Sequence, residues 1–318
     1  MRVLVTGASG FVGGALIEQL RLDDGLQLRL AQRRAIEVPF AECIQVGDIN
    51  GATDWQTVLA GVDVVVHLAA RAHILHHRDA DPLAMFREVN TQGTLNLARQ
   101  AAFAGVRRFV FISSIGVNGA QTKGQAFNER SAVSPHSPYA QSKYEAECGL
   151  LNMAESGVME VVIIRPPMIF AAHAPGNFAR LLKLTSLPVP LPFGGMDNLR
   201  SLVSLQNLIG FIELCVKSPH AANEVFLICD GDDVSTEEMV RRLAKGMGCR
   251  RWLLPFPKTI LHWMAILTGR ESMYIQLFGS LQIDAGKARE LLQWEPRVST
   301  HQGLSLIHIS EPTRQEAI

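Results

Sequence analysis

Residues 2–13 read RVLVTGASGFVG, and this stretch decides the fold of the chain. A strand-like apolar run is followed at once by three glycines with the spacing GxxGxxG, and a helical pattern continues over 15–20. At this spacing Gly7 permits a tight turn, Gly10 lets the backbone approach a pyrophosphate, and Gly13 lets the helix pack on the strand. The order of strand, glycine turn and helix N-terminus therefore predicts a dinucleotide-binding site.

The remainder of the chain alternates strand-like and helical segments, which predicts a parallel sheet covered by helices on both faces. The predicted fold class is α/β, a Rossmann-type doubly wound parallel sheet with a smaller C-terminal substrate-binding region. Strands after the first are predicted over 26–30, 43–46, 62–68, 108–112 and 161–164, and helices over 53–60, 81–104 and 139–156, while 205–216 and 225–228 are expected to return to the same domain.

Proline and glycine become frequent beyond residue 165, most of all in the run over 187–195. This change indicates that the main sheet gives way near residue 170 to a region that covers the substrate. We expect the NAD(P)-binding domain to comprise 1–169 and 201–230, and the substrate-binding region to comprise 170–200 and 231–303.

The overall charge of the chain argues against nucleic acid or an anionic membrane as a partner. The 318 residues carry 30 basic and 30 acidic side chains, and 47% of the residues are hydrophobic. No apolar run is long enough to cross a bilayer, so we predict no membrane insertion. The longest candidate, 259–268, is interrupted by His262 and is interpreted as a packed helix, with a partner-facing helix as the alternative.

The cysteines and the amino terminus indicate the compartment. Five cysteines show no CxxC spacing and need not form a disulfide framework. The first strand begins directly after Met1, which leaves no room for a signal peptide. A cytoplasmic location is the expectation from these features.

Tyr139 and Lys143 form the pattern that most directly indicates chemistry. Residues four apart on a helix share one face, so a phenol lies beside an ammonium group. A neighbouring positive charge favours the phenolate and lowers the pKa of a tyrosine. The pair is therefore a candidate proton donor and acceptor, although the same spacing occurs on many solvated helix faces.

The choice between NAD and NADP depends on the end of the second strand. NAD-selective sites usually place an acid there, whereas this chain has Gln32, Arg33 and Arg34. An arginine can receive a 2′-phosphate, so NADP is favoured over NAD, with Arg33 as the contact and a solvated basic turn as the alternative.

Several motifs in the same order resemble the extended short-chain dehydrogenase/reductase family, and within it the branch of nucleotide-sugar epimerases and ketoreductases. The resemblance covers roughly residues 1–303. It is carried by GASGFVG at 7–13, GDI at 47–49, HLAA at 67–70, VNTQGT at 89–94, FISS at 111–114, SPYAQSK at 137–143 and RPP at 165–167.

The resemblance implies the roles of the site residues. Ser114, Tyr139 and Lys143 would be catalytic, with Ser113 as the alternative to Ser114, while Asn90 would support the active-site helix. The cofactor residues implied by the motifs and the glycine turn are Gly7, Ser9, Gly10, Phe11, Val12, Gly13, Arg33, Arg34, Asp48, Ile49, Leu68, Ala69, Ala70, Asn90, Tyr139, Lys143 and Pro166.

The resemblance also implies a UDP-sugar substrate. Arg200 matches an arginine that contacts the diphosphate, and Asn177 matches another contact to the nucleotide sugar, together with Ser114 at the reacting oxygen. The loop at 169–175 departs from the pattern of the family, because Ala171 and Ala172 replace its usual residues. We expect these two alanines to stiffen the loop.

Within the branch, the stretches 198–203 and 279–284 most resemble reductases that form UDP-N-acetylquinovosamine from a UDP-4-keto-6-deoxy-N-acetylhexosamine for surface polysaccharide. The alternative is a UDP-sugar 4-epimerase, and further alternatives are a dinucleotide-sensing regulator and a reductase of an apolar ketone. The 4,6-dehydratases need an Asp-Glu pair where this chain has Ile115 and Gly116, which argues against dehydration.

Three further expectations concern metal, assembly and the carboxyl terminus. The histidines at 73, 76 and 77 lack a convincing carboxylate or cysteine partner, so no metal is predicted. Family resemblance suggests a homodimer. Residues 304–318 resemble the translation of a sequencing adapter with read-through, and deleting 305–318 is expected to leave folding and activity unchanged.

Overall fold

A computed structural model describes residues 1–34, 36–72, 81–305 and 307. The chain alternates strands and helices over most of its length. The strands are β1 (Arg2–Thr6), β2 (Gln27–Gln32), β3 (Glu42–Gln45), β4 (Val64–His67), β5 (Arg108–Ile112), β6 (Glu160–Arg165), β7 (Met168–Phe170), β8 (Leu191–Gly194), β9 (Leu202–Ser204), β10 (Glu224–Leu227) and β11 (Leu253–Pro255).

The helices cover both faces of the sheet and most of the carboxyl-terminal part. They are α1 (Phe11–Leu20), α2 (Gln56–Leu59), α3 (Pro82–Phe86), α4 (Thr94–Phe103), α5 (Pro138–Glu155), α6 (Gly176–Ser186), α7 (Leu205–Lys217), α8 (Thr236–Gly246), α9 (Lys258–Leu267), α10 (Glu271–Phe278), α11 (Gly286–Leu292) and α12 (Thr300–Ser305). Short 3₁₀ turns lie at Ile115–Val117 and Pro219–Ala221.

Seven strands form one parallel sheet in the order β10-β6-β5-β4-β1-β2-β3. The order reverses between β1 and β4, which creates the crevice where this class of sheet binds its ligand. The Rossmann-type doubly wound sheet predicted from the sequence is confirmed. Two small parallel pairs, β7 with β9 and β8 with β11, lie outside it.

Alternate residues of the central strands belong to two different cores. On β1, Val3 and Val5 lie in a cluster with α1 and α7, whereas Leu4 between them lies in a cluster with α4 and α5. Successive side chains of a strand point to opposite faces, so a continuous apolar strand must be covered on both sides. This is why the buried strands read as uninterrupted apolar runs.

A third apolar cluster holds the carboxyl-terminal region together. It joins Phe170 and residues of α6 to β8, α8 and the start of the tail, and both Leu304 and Ile307 are buried in it. By contrast, Leu292 and Trp294 pack into the cluster beneath the main sheet. The residue limits given above for the two domains stay a prediction.

The helix predicted over 81–104 consists of three pieces. A seven-residue π-helical segment, Arg87–Gly93, separates α3 from α4. A π segment adds a residue to the helical turn and is frequent at functional sites.

The packed helix predicted over 259–268 is wrong, because α9 contains no buried residue. Most of its apolar side chains are exposed, and its neighbour α10 also has no buried residue. No helix within the described ranges is long and apolar enough to cross a membrane.

Candidate active site

The candidate site lies where the carboxyl ends of the central strands meet. It is formed by the turn from β1 to α1, the residues that follow β4, β5 and β6, and the first turns of α5. Parallel strands bring their carboxyl ends to one edge of the sheet, so loops distant in the sequence converge there. Two adjoining cavities occupy this edge, one of about 310 Å³ and one of about 670 Å³.

The glycine turn has the geometry that its spacing predicts. Gly7 has φ +74°, and a Cβ built on it would lie 2.7 Å from the backbone nitrogen of Ala69. A Cβ on Gly13 would lie 2.1 Å from the carbonyl oxygen of Gly7. Only glycine fits at either position, because β1, α1 and the loop after β4 approach each other closely there.

The first turn of α1 offers free backbone donors to the smaller cavity. Gly10 is the N-cap, no side chain caps the helix, and the amides of Phe11, Val12 and Gly13 find no acceptor among the described residues. An uncapped helix N-terminus attracts an anionic group through these N–H groups and the helix dipole. The cradle therefore fits the pyrophosphate of a dinucleotide.

The smaller cavity gathers most of the predicted cofactor residues. The predicted residues that line it are Gly7, Gly10, Phe11, Val12, Gly13, Leu68, Ala70, Tyr139, Lys143 and Pro166. The predicted residues that do not line it are Ser9, Arg33, Arg34, Asp48, Ile49, Ala69 and Asn90. Their assignment to the cofactor stays a prediction.

Tyr139 and Lys143 lie one turn apart at the start of α5, and both border this cavity. Burial raises the pKa of Tyr139 to about 12 and lowers the pKa of Lys143 to about 7. The Lys143 Nζ donates to the carbonyl oxygen of Ile112 at 2.8 Å and lies 4.4 Å from the centre of the Phe111 ring. The predicted lowering of the tyrosine pKa is absent in this arrangement, because desolvation disfavours the charged phenolate.

Ser114 connects the two cavities. It lines both of them, and its Oγ accepts a hydrogen bond from the Gly116 amide at 3.1 Å. Its own hydroxyl proton has no acceptor in the described part of the chain, so it can be given to a ligand oxygen. Ser113 lines only the smaller cavity, and its buried Oγ has no partner among the described residues.

Asn90 lies in the π-helical segment and is fully buried. Its side-chain amide donates at 3.0 Å both to the carbonyl of Arg71 and to Ser142 Oγ, and its Oδ1 accepts from the Arg71 amide at 2.9 Å. Ser142 Oγ in turn donates to the Tyr139 carbonyl oxygen at 2.8 Å. Asn90 therefore connects the loop after β4 to the first turn of α5.

A buried histidine lies at the end of β4. His67 hydrogen-bonds Thr6 Oγ1 through Nδ1 at 2.7 Å and Thr94 Oγ1 through Nε2 at 2.9 Å. Burial, with the charge of Lys143 as a smaller cause, lowers the pKa of His67 to about 3. A neutral ring thus joins β1, β4 and α4 behind the smaller cavity.

The end of β2 presents two arginines to solvent. Arg33 and Arg34 are exposed, and Arg33 Nη1 lies 3.7 Å from Asp48 Oδ1. Gln32, at the position where an NAD-selective site carries an acid, is buried. Arg33, which is predicted to select the cofactor, and Asp48, which is predicted to flank its adenosine part, are therefore neighbours.

The larger cavity contains the three predicted substrate residues, Ser114, Asn177 and Arg200. Arg200 donates through Nη1 to the Gly279 carbonyl at 2.9 Å, while its buried Nε has no partner among the described residues. Burial lowers the pKa of Arg200 to about 10, so the guanidinium remains charged at neutral pH. A partly unsatisfied guanidinium in a cavity suits a phosphate or carboxylate oxygen.

Several lining residues escaped prediction from the sequence. His136 lines the larger cavity and its Nδ1 lies 3.1 Å from the Gly116 carbonyl oxygen, while α10 contributes Met273 and Gln276. His136 lies three residues before Tyr139, which is a signal that could have identified it. Nothing in the sequence of α10 itself indicates that it lines the cavity, because its position depends on how the carboxyl-terminal region folds back.

No acidic side chain lines the described part of either cavity. Dehydration needs a further acid and base beside the tyrosine, and the buried Ile115 and Gly116 occupy those places. Within the described residues no group of three potential metal ligands occurs, and the histidines at 73, 76 and 77 lie outside them.

The fold and the two cavities define a dinucleotide-dependent enzyme, and comparison with known proteins identifies its family. The profile of the NAD dependent epimerase/dehydratase family matches residues 3–228, and the chain belongs to this family. It is an NAD(P)-dependent enzyme that acts on a nucleotide sugar, as the sequence motifs predict.

Two curated relatives and one solved structure show the extent of the similarity. The UDP-glucose 4-epimerase of Vibrio cholerae is 44% identical over 303 residues, covering 95% of this chain and 92% of the relative. The N-acetyl-alpha-D-glucosaminyl-diphospho-ditrans,octacis-undecaprenol 4-epimerase of Escherichia coli O157:H7 is 31% identical, covering 81% and 77%. The UDP-glucuronic acid 4-epimerase of Bacillus cereus in complex with NAD has a TM-score of 0.77 at 23% identity, covering 97% and 96% of the two chains.

Proposed function

We propose that this chain is a 4-epimerase of a hexose carried on uridine diphosphate. The observation that carries the proposal is that Ser114 lines both cavities and Tyr139 lines the smaller one, with no carboxylate in the described lining. Epimerisation needs one group that takes a proton and returns it, whereas dehydration needs further acids and bases. The names of the relatives at 44% and 31% identity support epimerisation.

The proposed chemistry assigns a task to each side chain. A bound nicotinamide would supply the acceptor and then the donor of one hydride. Tyr139 takes the proton of the sugar hydroxyl as the carbonyl forms, and returns it when the carbonyl is reduced on its other face. Ser114 donates a hydrogen bond to the same oxygen, and Arg200 binds the diphosphate.

The tyrosine needs help to act as a base. Because burial raises its pKa to about 12, Tyr139 is a neutral phenol at pH 7 and is suited to proton donation. To accept a proton it needs a positive charge beside it, and Lys143 on the next turn is the group that can supply one. We expect Lys143 to leave the Ile112 carbonyl and turn toward Tyr139 when cofactor and substrate bind.

NADP rather than NAD as the preferred cofactor is a further part of the proposal. The exposed Arg33 at the end of β2 is free to meet a 2′-phosphate once its contact with Asp48 is given up. Dissociation constants for the two cofactors, compared with those of Arg33→Ala, test this part. A preference for NAD in the unaltered chain would contradict it.

Reduction of a UDP-4-keto-6-deoxy-N-acetylhexosamine is the second candidate. It is favoured by the two stretches that resemble such reductases, 198–203 and 279–284. They are hydrogen-bonded to each other beside Arg200, from the Ser201 amide to the Leu281 carbonyl and from the Leu281 amide to the Leu199 carbonyl. An epimerase retains its cofactor through the cycle, whereas a reductase must release it after each turnover.

A sugar diphosphate carried on a polyprenol is the alternative substrate class. The named substrates of both curated relatives contain a sugar linked to a diphosphate, although only one contains uridine. This class is favoured by the exposed apolar helix α9, which packs against α10 in the wall of the larger cavity. The diphosphate site would serve both classes.

The test measures the sugar products and the cofactor absorbance in the same reaction with the purified protein. UDP-glucose, UDP-N-acetylglucosamine and a diphospho-polyprenol sugar are supplied separately, and a UDP-4-keto sugar is supplied with NADPH or NADH. Sugar interconversion without net change in cofactor absorbance supports epimerisation. Stoichiometric cofactor oxidation identifies a reductase instead.

Tyr139→Phe provides the matched test of the catalytic assignment. Loss of the proton carrier should lower kcat by about 10²- to 10⁴-fold while the cofactor still binds. Tyr144→Phe, on the same helix α5, is the control and should keep full turnover. Unchanged turnover in Tyr139→Phe would contradict the proposal.

A further inference from the structure

Eight of the 19 exposed large apolar residues in the described chain lie in one stretch from Trp252 through α9, here called the α9 surface. Its side chains are between 39% and 82% exposed, although they are large and apolar. Single exposed apolar residues are ordinary, but a group of this size marks an interaction site. The members of the α9 surface are Trp252, Leu254, Phe256, Ile260, Trp263, Met264, Ile266 and Leu267.

The helical part of this surface forms one stripe. Ile260, Trp263, Met264 and Leu267 follow the spacing i, i+3, i+4, i+7, so they lie along one side of α9. The partly buried His262 packs its ring 4.9 Å from that of Tyr274 on α10. The stripe therefore faces away from the protein.

The part of the α9 surface that precedes the helix, residues 252–256, exposes its large apolar side chains at alternate positions. Trp252, Leu254 and Phe256 are exposed at every second position, and the partly buried Leu253 packs against the third apolar cluster. Alternation of this kind turns every second side chain of a strand to the same face. Phe256 is followed after one proline by the start of α9, so the two parts follow one another without a break.

The sequence around this surface carries an excess of positive charge, although the whole chain has equal numbers of basic and acidic residues. Residues 239–270 contain seven lysines and arginines and no aspartate or glutamate. Three of these cations are paired: Arg241 and Arg242 with Glu237 and Glu238 one turn earlier on α8, and Lys258 with Asp197. The other four have no carboxylate partner among the described residues, namely Lys245, Arg250, Arg251 and Arg270.

We propose that the α9 surface docks the protein on an anionic lipid membrane, with α9 lying in the plane of the interface. Apolar and tryptophan side chains beside lysine and arginine are the composition that binds at a lipid headgroup boundary. The ten residues of α9 are too few to cross a bilayer, so the attachment is peripheral. The balanced charge of the whole chain argues against an anionic membrane as a partner, but that total conceals the local excess of positive charge at 239–270.

A second copy of the chain is a poorer partner for the same surface. In a symmetric dimer the same patch meets itself, so the unpaired cations of both copies would be brought together. Like charges facing each other across an interface oppose association. Anionic headgroups instead complement the excess charge of 239–270.

Docking would place the larger cavity beside the membrane. α10 packs on α9 and contributes Ser272, Met273, Gln276 and Leu277 to the cavity wall. The inference goes beyond the proposed function and does not rest on it, because vesicle binding is measured without substrate. A failure of either proposal leaves the other intact.

The experiment measures cosedimentation of the full chain with vesicles. Phosphatidylcholine mixed with phosphatidylglycerol is compared with phosphatidylcholine alone, at low and high salt. We expect binding to the anionic vesicles that weakens with salt. The double variant Trp263→Ser with Leu267→Ser should bind these vesicles at least about tenfold less, because it removes two apolar anchors.

Matched controls keep the test decisive. Leu22→Ser with Phe103→Ser removes two side chains that are 71% and 98% exposed elsewhere, and should not alter vesicle binding. If the α9 variant does not fold, Arg250→Gln with Arg270→Gln replaces it, with Arg99→Gln and Arg130→Gln as its control. The changes at Arg250 and Arg270 should weaken binding to anionic vesicles, whereas the control changes at Arg99 and Arg130 should not.

Three results would overturn the inference. The unaltered chain could fail to bind anionic vesicles, or the control variants could lose binding as strongly as the α9 variants. Light scattering could also show a dimer that the Trp263→Ser and Leu267→Ser changes convert to a monomer, without vesicle binding. That last result would assign the α9 surface to contact between copies of the chain.

Discussion

At the scale of single residues, the pair of Tyr139 and Lys143 is governed by desolvation. Burial moves the pKa of each side chain toward the neutral form, to about 12 for the phenol and about 7 for the ammonium group. A neutral lysine does not stabilise a phenolate. The pair therefore becomes a proton carrier only when its surroundings add positive charge or water is replaced by a polar ligand.

The lowered pKa of Lys143 predicts a stability that depends on pH. Between about pH 7 and 9 the unfolded chain keeps the proton that the folded chain has lost, so the free energy of unfolding rises with pH. Relative to Lys143→Met, the unaltered protein should gain about 2 kcal/mol over this range. Urea denaturation across this pH range measures it, with the exposed Lys183→Met as control, and parallel pH profiles for all three proteins would refute the prediction.

Gly13 and Gly14 are neighbours with opposite expected responses to alanine. A Cβ on Gly13 meets the Gly7 carbonyl oxygen at 2.1 Å, whereas one on Gly14 meets the Ala8 carbonyl at 3.6 Å, an ordinary contact. Gly13→Ala should destabilise the protein by about 1–3 kcal/mol and abolish cofactor binding, because α1 is pushed off β1.

Gly14→Ala is the matched control for the glycine turn. It should be neutral, or stabilising by up to about 1 kcal/mol, because alanine restricts the unfolded chain and favours the helix. Denaturation and titration with NAD or NADP measure both variants. Equal cofactor affinity in the two variants would show that close packing at Gly13 is not required.

At the scale of elements, a buried ion pair fixes the position of α5. Glu147 lies one turn beyond Lys143, and its carboxylate accepts from Arg165 at the end of β6 at 3.0 and 2.5 Å. Arg165 also donates to Asn118 Oδ1 at 3.0 Å, and it immediately precedes the cavity residue Pro166. The ion pair therefore joins the helix that carries Tyr139 and Lys143 to the strand that ends at the smaller cavity.

Removing one partner of this pair should cost far more than removing both. Glu147→Leu leaves a buried guanidinium without its carboxylate, and the expected loss is about 3–5 kcal/mol of unfolding free energy. Adding Arg165→Met should restore much of it. Denaturation measures the effect, and Glu155→Leu at the exposed end of α5 should change stability by no more than about 0.5 kcal/mol. Equal losses in the single and double variants would contradict this account.

At the scale of the whole molecule, the carboxyl-terminal part is held by its own apolar cluster. Leu304 and Ile307 are both buried there, next to α8. This finding modifies the expectation that 305–318 can be removed without effect. Residues 306 and 308–318 lie outside the described structure, so the resemblance of this segment to an adapter stays a prediction.

Two truncations separate the packed part of the tail from the remainder. A chain ending at residue 307 should unfold at the same temperature as the full chain and bind cofactor equally well. A chain ending at 304 loses the side chain of Ile307, which is 4% exposed, and should be destabilised by about 2 kcal/mol. Thermal unfolding measures both, and a destabilised 1–307 chain would show that the segment beyond it contributes to folding.

Some of these features were within reach of the sequence because they are local. The turn from β1 to α1 depends on three glycines within seven residues, and the shared face of Tyr139 and Lys143 depends only on helical spacing. The strand runs were recognisable because strands buried on both faces are continuously apolar. Asn90 could be selected by its motif, but its hydrogen bonds to Arg71 and Ser142 could not.

The amino-acid sequence by itself determined the order of strands and helices, the glycine turn and the shared helical face of Tyr139 and Lys143, because each depends on neighbours along the chain. Only the tertiary structure decided the pKa of Lys143, the wall that α10 gives to the larger cavity and the exposure of α9. Burial depends on what covers a side chain, and the covering residues come from distant parts of the chain. The apolar periodicity of α9 is the same whether its stripe faces a core or a membrane.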